Sequence, residues 1–269
     1  MLELKHISIT FNEHTVNEKK ALNDVSLKVN NGDFITIIGS NGAGKSTLLN
    51  CISGSYEVDE GQIILNGKHM EYMKEYNRAK KIGRLFQDPL KGTAPDMSIE
   101  ENLELAYRRG NSQNSLYHRF FKIGLTKQER QLMKDKVSLL GLDLEKRFSS
   151  KVGLLSGGQR QALTLMMATI NTPDLLLLDE HTAALDPKTA KQVMEITDTI
   201  IKEENITTIM ITHNIAQALA YGNRLIMMNE GKILYEFSNE EKANLTIEDV
   251  MKLYQQKSHN DFSDSMLLD

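Results

Sequence analysis

Between an apolar run, Phe34 to Ile38, and a segment of helical character, Lys45 to Ile52, lies the octet Gly39-Ser40-Asn41-Gly42-Ala43-Gly44-Lys45-Ser46. It fits the pattern G-x-x-x-x-G-K-[ST], and a strand before it with a helix after it is the context that gives the pattern meaning. Glycines let the backbone curl until successive N–H groups point inward, and the helix N-terminus adds about half a positive charge. Lys45 supplies a point charge for β- and γ-phosphates, Ser46 can place its hydroxyl on Mg²⁺, and Thr47 stands near the α-phosphate. A chain carrying this device is expected to be an α/β protein with a P-loop NTPase core.

The rest of the pattern agrees. Leu2, Leu4 and then Ile7, Ile9 alternate in two short strand-like stretches, followed by Val25 to Val29, the turn Asn30-Asn31-Gly32, and a further strand bounded by Gly61 and Gly67. This predicts an N-terminal antiparallel β subdomain and a mixed sheet. From Asp88 to Met167 the texture becomes polar and helical, and Ser98 with Glu101 forms a capping box that opens a helix through Ala106. Gln131 to Leu140 resumes helical spacing up to Gly141. An α-helical subdomain inserted over 88–167 into a core of 1–87 and 168–237 is expected. Leu175 to Leu178 and Ile206 to Thr212 are short β-rich runs separated by a helix bearing Val193, Ile196 and Ile200, which implies parallel strands. Arg224 to Met228 and Lys232 to Phe237 read as a closing hairpin, and 238–269 as one helix begun by Thr246 followed by a polar tail.

Composition removes several classes. Lys+Arg of 32 against Asp+Glu of 36 gives a net charge of −4, which disfavours a nucleic-acid binder working through bulk positive charge. The longest aliphatic stretch, Leu175 to Leu178, is far short of the ~20 apolar residues that cross a bilayer, and Met1 to Lys5 lacks a signal-peptide pattern. Cys51 stands alone and can form no internal disulfide. A cytoplasmic location is expected.

Leu175-Leu176-Leu177-Leu178-Asp179-Glu180 is an apolar strand ending in adjacent carboxylates, and in doubly wound sheets ligands gather at the carboxyl ends of strands. Side chains alternate along a strand, so Asp179 and Glu180 diverge unless the chain bends there. One can then reach Mg²⁺ while the other polarises an attacking water. His213 ends the next β-rich run at the same edge, where an imidazole can hydrogen-bond a γ-phosphate or hold the water, or simply pack.

Leu155-Ser156-Gly157-Gly158-Gln159, ahead of the Asp179 strand, resembles the signature of ABC-type ATPases. Ser156 is a good N-cap for the helix that follows, and Gly157 and Gly158 expose backbone N–H groups at its positive end, an anion site without a lysine. The resemblance spans about Leu2 to Phe237. It implies a head-to-tail homodimer in which each signature covers the γ-phosphate of an ATP held by the other chain. It assigns Gln87 to sensing Mg²⁺ and a transmembrane partner, Asp186 to a loop crossing the dimer interface, and His213 to a switch histidine. Phe11 resembles the aromatic that stacks on adenine, and equally suits a core position.

Such a chain is expected to bind ATP and Mg²⁺, with Glu180, His213 and Gln87 catalytic and Ser46, Gln87 and Asp179 around the metal. It would power a separate membrane permease from the inner face of the cell membrane. His181 replaces a frequent proline and reads as a tolerated substitution. The segments Lys91 to Met97 and Arg108 to Arg130 are elaborated where relatives face the permease. Phe86-Gln87-Asp88-Pro89 and Asp179 to Pro187 further resemble a bacterial branch of stand-alone importer ATPases linked to amino-acid uptake, aromatic amino acids among them, with an extracellular solute-binding protein. The alternatives are an exporter ATPase or a soluble ATPase acting on ribosomes or nucleic acid. No nucleic-acid partner is expected, since one phosphate loop, one signature and the short run between Ser46 and Ser156 leave no tandem domain and no coiled-coil arm.

Overall fold

The computed structural model describes residues 1–110 and 125–257. In chain order the strands are β1 (Leu2–Phe11), β2 (Lys19–Val29), β3 (Phe34–Gly39), β4 (Glu60–Leu65), β5 (Lys68–His69), β6 (Ile82–Leu85), β7 (Leu175–Asp179), β8 (Thr208–Ile211), β9 (Arg224–Asn229) and β10 (Lys232–Phe237). The helices are α1 (Lys45–Ser53), α2 (Glu75–Arg78), α3 (Ile99–Gly110), α4 (Lys127–Ser138), α5 (Gly157–Thr169), α6 (Pro187–Glu203), α7 (Ile215–Ala220), α8 (Asn239–Ala243) and α9 (Ile247–Lys257). Two compact units result: Met1–Arg78 with Leu177–Glu180 and Asn205–Asp269, and Ala79–Leu176 with His181–Glu204. The insertion expected over 88–167 lies inside the second unit, which is wider.

In the first unit the two short alternations of the N-terminus form one strand. Moving the apolar set from Leu2 and Leu4 to Ile7 and Ile9 changes its parity, which requires an extra residue in the ladder. His6 supplies it, with φ of +53° at a register shift against β2, so all four apolar side chains are buried. The antiparallel sheet runs β2-β1-β4-β5, and the larger sheet runs β10-β9-β3-β8-β7 in this unit. β3 is parallel to both β8 and β9, while β10 returns antiparallel along β9. Glu230 and Gly231, at φ of +47° and +74°, make the tight turn of that hairpin. Every residue of β3 is buried, as a strand flanked by parallel neighbours demands.

The second unit is mostly helical. Ser98 and Glu101 cap α3 reciprocally, as read from the sequence. Thr126 and Glu129 do the same for α4, which therefore opens at Lys127, earlier than the spacing from Gln131 indicated. Ile99, Leu103, Met133, Val137, Leu163 and Met166 join in one apolar core against which Ile196 and Ile200 of α6 pack. Beyond Phe237 the sequence indicated one helix, and two lie among the described residues: α8, opened by a Ser238–Glu241 capping box, precedes α9. Residues 111–124 of the basic stretch and the tail 258–269 lie outside the described residues.

Candidate functional site

The phosphate loop is shaped by what crowds it. A Cβ on Gly39 would lie 2.2 Å from the Met228 carbonyl oxygen, so β3 can approach β9 this closely only without a side chain. Gly44, at φ of +98°, faces the Ala21 carbonyl oxygen at 2.6 Å from the position a Cβ would take. It is also the N-cap of α1, and no side chain there accepts a hydrogen bond from the helix. The first N–H groups of α1 are thus left for a ligand, at the positive end of the helix. Lys45 is buried, and its Nζ donates to the carbonyl oxygens of Gly39 at 2.7 Å and Ser40 at 3.0 Å. Burial pulls its pKa below the usual lysine range, against the raising effect of the Glu180 and Asp179 carboxylates.

Those carboxylates end β7 in the same unit. Ser46 Oγ donates to Asp179 Oδ1 at 3.1 Å. Glu180 then leaves the strand with φ of +47°, a left-handed conformation that a residue with a Cβ adopts at a cost of about 1–2 kcal/mol. This bend releases Asp179 and Glu180 from strict alternation. The Glu180 N–H donates to the Ile211 carbonyl at 3.1 Å, and its Oε1 lies 2.5 Å from His213 Nε2. His213 therefore engages the carboxylate beside it. Asn214 fixes the residue after it by capping α7, its Oδ1 accepting from Gln217 N at 2.8 Å.

Residues 39–47, Asp179, Glu180 and His213 are thus brought together by the carboxyl ends of β3, β7 and β8. Phe11 ends β1 in the same unit, partly buried and edge-on to Tyr56 with ring centroids 5.3 Å apart. Three participants escaped the sequence reading. Lys19, opposite Phe11 in the β1–β2 ladder, places its Nζ 3.2 Å from the position a Gly42 Cβ would occupy. Asn229 Oδ1 accepts from Ser40 Oγ at 3.0 Å, and Tyr254 of α9 accepts from the Ser40 N–H at 2.6 Å. Only the preceding strand and loop spacing were visible in sequence; these partners are 189 and 214 residues away.

A second group belongs to the second unit. Gln87 is exposed just past β6, after Phe86 carries the Arg84 guanidinium 4.5 Å above its ring. Ser156 caps α5 with Gln159 in a full capping box: Ser156 Oγ accepts from Gln159 N at 3.3 Å, and Gln159 Oε1 accepts from Ser156 N at 3.2 Å. Gly158 packs so tightly on α6 that a Cβ would lie 2.1 Å from Thr189 Cγ2. Asp186 caps α6, accepting from Thr189 N at 3.1 Å, and hydrogen bonds from Thr189 hold its pKa below the usual carboxylate range. His181 is buried, 3.3 Å from Thr197 Oγ1, and burial pushes its imidazole down to about 4. It is a neutral packing residue at ordinary pH.

The model of the ABC transporter family matches residues 22–183. A tyrosine transport ATP-binding protein of Clostridioides difficile (strain R20291) is 43% identical over 258 residues, covering 95% of this chain and 99% of that protein. A phosphonates import ATP-binding protein of Lactococcus lactis subsp. lactis (strain IL1403) is 32% identical, covering 88% of this chain and 94% of that one. Among solved structures, a dimeric ATP-binding cassette in a post-hydrolysis state bound to ADP and Pi superposes with a TM-score of 0.74 at 27% identity, over 89% of this chain and 99% of that chain.

Proposed function

We propose, from the premise that this chain belongs to the ABC transporter family as an ATPase subunit driving transport, that residues 39–47, Asp179, Glu180 and His213 form its ATP-hydrolysing centre. The observation that carries this reading is the junction of an uncapped helix N-terminus, a buried Lys45 and the Ser46–Asp179 and Glu180–His213 pairs in one compact unit. The backbone N–H groups and Lys45 bind the β- and γ-phosphates. Glu180, released from the strand by its left-handed backbone, orients the water, and His213 holds that carboxylate in place. Phe11 stacks on the adenine.

Ser46 Oγ and Asp179 Oδ1 are hard oxygen donors within 3.1 Å of each other, and no cluster of three or more His, Cys, Asp or Glu ligands occurs among the described residues. A small oxygen-ligand set of this kind suits Mg²⁺, which keeps waters and substrate phosphates as its remaining ligands. When bound, the ion neutralises phosphate charge. Gln87 is assigned to sensing the ion by the family pattern alone.

The chain is an importer-type subunit that works with a separate permease, and none of its described helices is long and apolar enough to cross a membrane. An amino acid, with tyrosine first among candidates, is the cargo, delivered by an extracellular solute-binding protein; the tyrosine transport relative supports this choice. In the head-to-tail dimer, Ser156, Gly157, Gly158 and Gln159 close over the partner's γ-phosphate, and Asp186 lies at the interface. The chain acts on the cytoplasmic face of the membrane. Replacing Glu180 by Gln should leave ATP affinity within threefold and lower steady-state ATPase by roughly a hundredfold or more, with an ATP-dependent dimer on size exclusion. Undiminished hydrolysis would remove Glu180 from the mechanism. Loss of tyrosine uptake in cells lacking this chain tests the cargo, and unchanged uptake would exclude it.

A further inference from the structure

Ser40, the second residue of the phosphate loop, has each of its polar groups taken. Its N–H donates to Tyr254 Oη at 2.6 Å, its Oγ donates to Asn229 Oδ1 at 3.0 Å, and its carbonyl accepts from Lys45 Nζ at 3.0 Å. The Tyr254 hydroxyl in turn lies 3.3 Å from Asn229 Oδ1 and 3.5 Å from the Met228 carbonyl oxygen, so its proton has an acceptor while its lone pair receives the Ser40 N–H. Ser40, Tyr254 and Asn229 thereby close a small polar ring. The ring of Tyr254 is 4% exposed and packs with Ile38, Ile215, Leu225, Met227 and Val250, which fixes where the hydroxyl sits.

We propose that Tyr254 is a positioning residue for nucleotide binding: the last described helix, α9, holds the entrance of the phosphate loop in its binding conformation. The inference rests on the reading of residues 39–47 as the nucleotide site. The physical reason is peptide orientation. A phosphate nest needs the following N–H groups to converge, and the peptide ahead of them is free to rotate unless both its faces are held. Lys45 holds the Gly39 carbonyl of the Gly39–Ser40 peptide at 2.7 Å, and Tyr254 holds the N–H of that same peptide, on Ser40, from the other side. With the phenol oxygen gone, the part-buried N–H lacks its acceptor, and the empty loop relaxes to orientations that satisfy it elsewhere. Nucleotide must then select the binding-competent fraction, and apparent affinity falls by that fraction.

The test is Tyr254→Phe, which keeps the packed ring and deletes only the hydroxyl. Expected are about five- to tenfold weaker binding of both ATP and ADP by isothermal titration, with kcat at saturating ATP unchanged within about twofold. Val250→Ala, which loosens the same helix without touching the hydroxyl, should lower the melting temperature and leave Kd within twofold. A Tyr254→Phe protein that binds as wild type, or a Val250→Ala protein weakened equally, overturns the proposal. Should Tyr254→Phe fail to fold, hydrogen exchange of the Ser40 amide in the nucleotide-free wild type decides: exchange as slow as the β3 core amides supports the clamp, and exchange as fast as an exposed loop amide refutes it. Lys45→Ala keeps the two readings apart. If it too binds ATP normally, the site itself is misassigned; if it loses binding while Tyr254→Phe does not, only the clamp fails.

Discussion

Two helices in this chain begin beside glycine, α1 after Gly42-Ala43-Gly44 and α5 with Gly157-Gly158, and their N-termini are finished in opposite ways. Gly44 offers α1 no side-chain acceptor, and the ammonium of Lys45 is buried among backbone carbonyls close by. Ser156 and Gln159 close α5 from within, satisfying Gln159 N and Ser156 N reciprocally. The open end has a cation and helix N–H donors with no side-chain cap, the groups a polyphosphate needs, while the neighbouring carboxylates suit a metal ion rather than the phosphates themselves. The capped end keeps a helix dipole and the N–H groups of Gly157 and Gly158, with no lysine beside them in the loop. In the proposed dimer an anion held by α5 would therefore have to be largely neutralised elsewhere, as a nucleotide seated on another chain's Lys45 would be. In the proposed head-to-tail dimer, one sequence would encode a complete site at α1 and a half-site at α5, and hydrolysis would depend on association.

The largest test of this contrast is Lys45→Ala. It should weaken ATP binding by on the order of a hundredfold or more, as the desolvated, charge-assisted contacts are lost. Because the ammonium is buried without ligand, the nucleotide-free protein should melt no lower than wild type, while the ATP-induced rise in melting temperature disappears. Retained affinity would break the claim that α1 alone completes a site.

Gly158→Ala comes next. The new methyl meets Thr189 Cγ2 at 2.1 Å, and the strain should cost about 1–3 kcal/mol of stability and most of the ATPase, with ATP affinity intact. Adding Thr189→Ser removes the opposing methyl and should restore both in urea denaturation and phosphate-release assays. No rescue would mean that the glycine is needed for its backbone rather than for packing.

Ser156→Ala should cost about 1 kcal/mol through loss of the cap, leave monomer binding of ATP unchanged, and lower the cooperativity of hydrolysis. Equal loss of monomer affinity would show that the two helix ends are not independent.

The effect least visible at neutral pH concerns a buried cation near the end of a helix. Lys242 Nζ donates to the Tyr221 and Gly222 carbonyls just past α7, and burial brings its pKa down to about 8 from 10.5. Between those values the unfolded chain binds the proton that the folded chain releases, so stability should rise with pH by at most about 1.4 kcal/mol per unit. That gain is complete above 10.5 and absent below about 8. In Lys242→Met the slope should vanish; an unaltered slope would assign it to another group.

The phosphate loop, the Asp179–Glu180 strand end, the signature and its Ser156 cap were legible because each is local: glycine, charge and capping residues act within a few positions of one another. The bend at Glu180, the seat of Lys19 over Gly42 and the Gly158–Thr189 contact were not, since they come from the close approach of segments whose spacing carries no period. His6 lies between. The parity change from Leu4 to Ile7 is written in the sequence, but only the register against β2 shows that one bulged strand absorbs it.

By itself the sequence determined the α/β class, the phosphate loop with its flanking strand and helix, and the family, because backbone propensity and short-range chemistry are set by neighbours along the chain. Tertiary structure alone decided that Glu180 meets His213, that Ser46 meets Asp179, and that Tyr254 of α9 closes on Ser40. Those contacts depend on which strands lie side by side and which helix covers their ends, and burial of apolar surface in three dimensions settles that order.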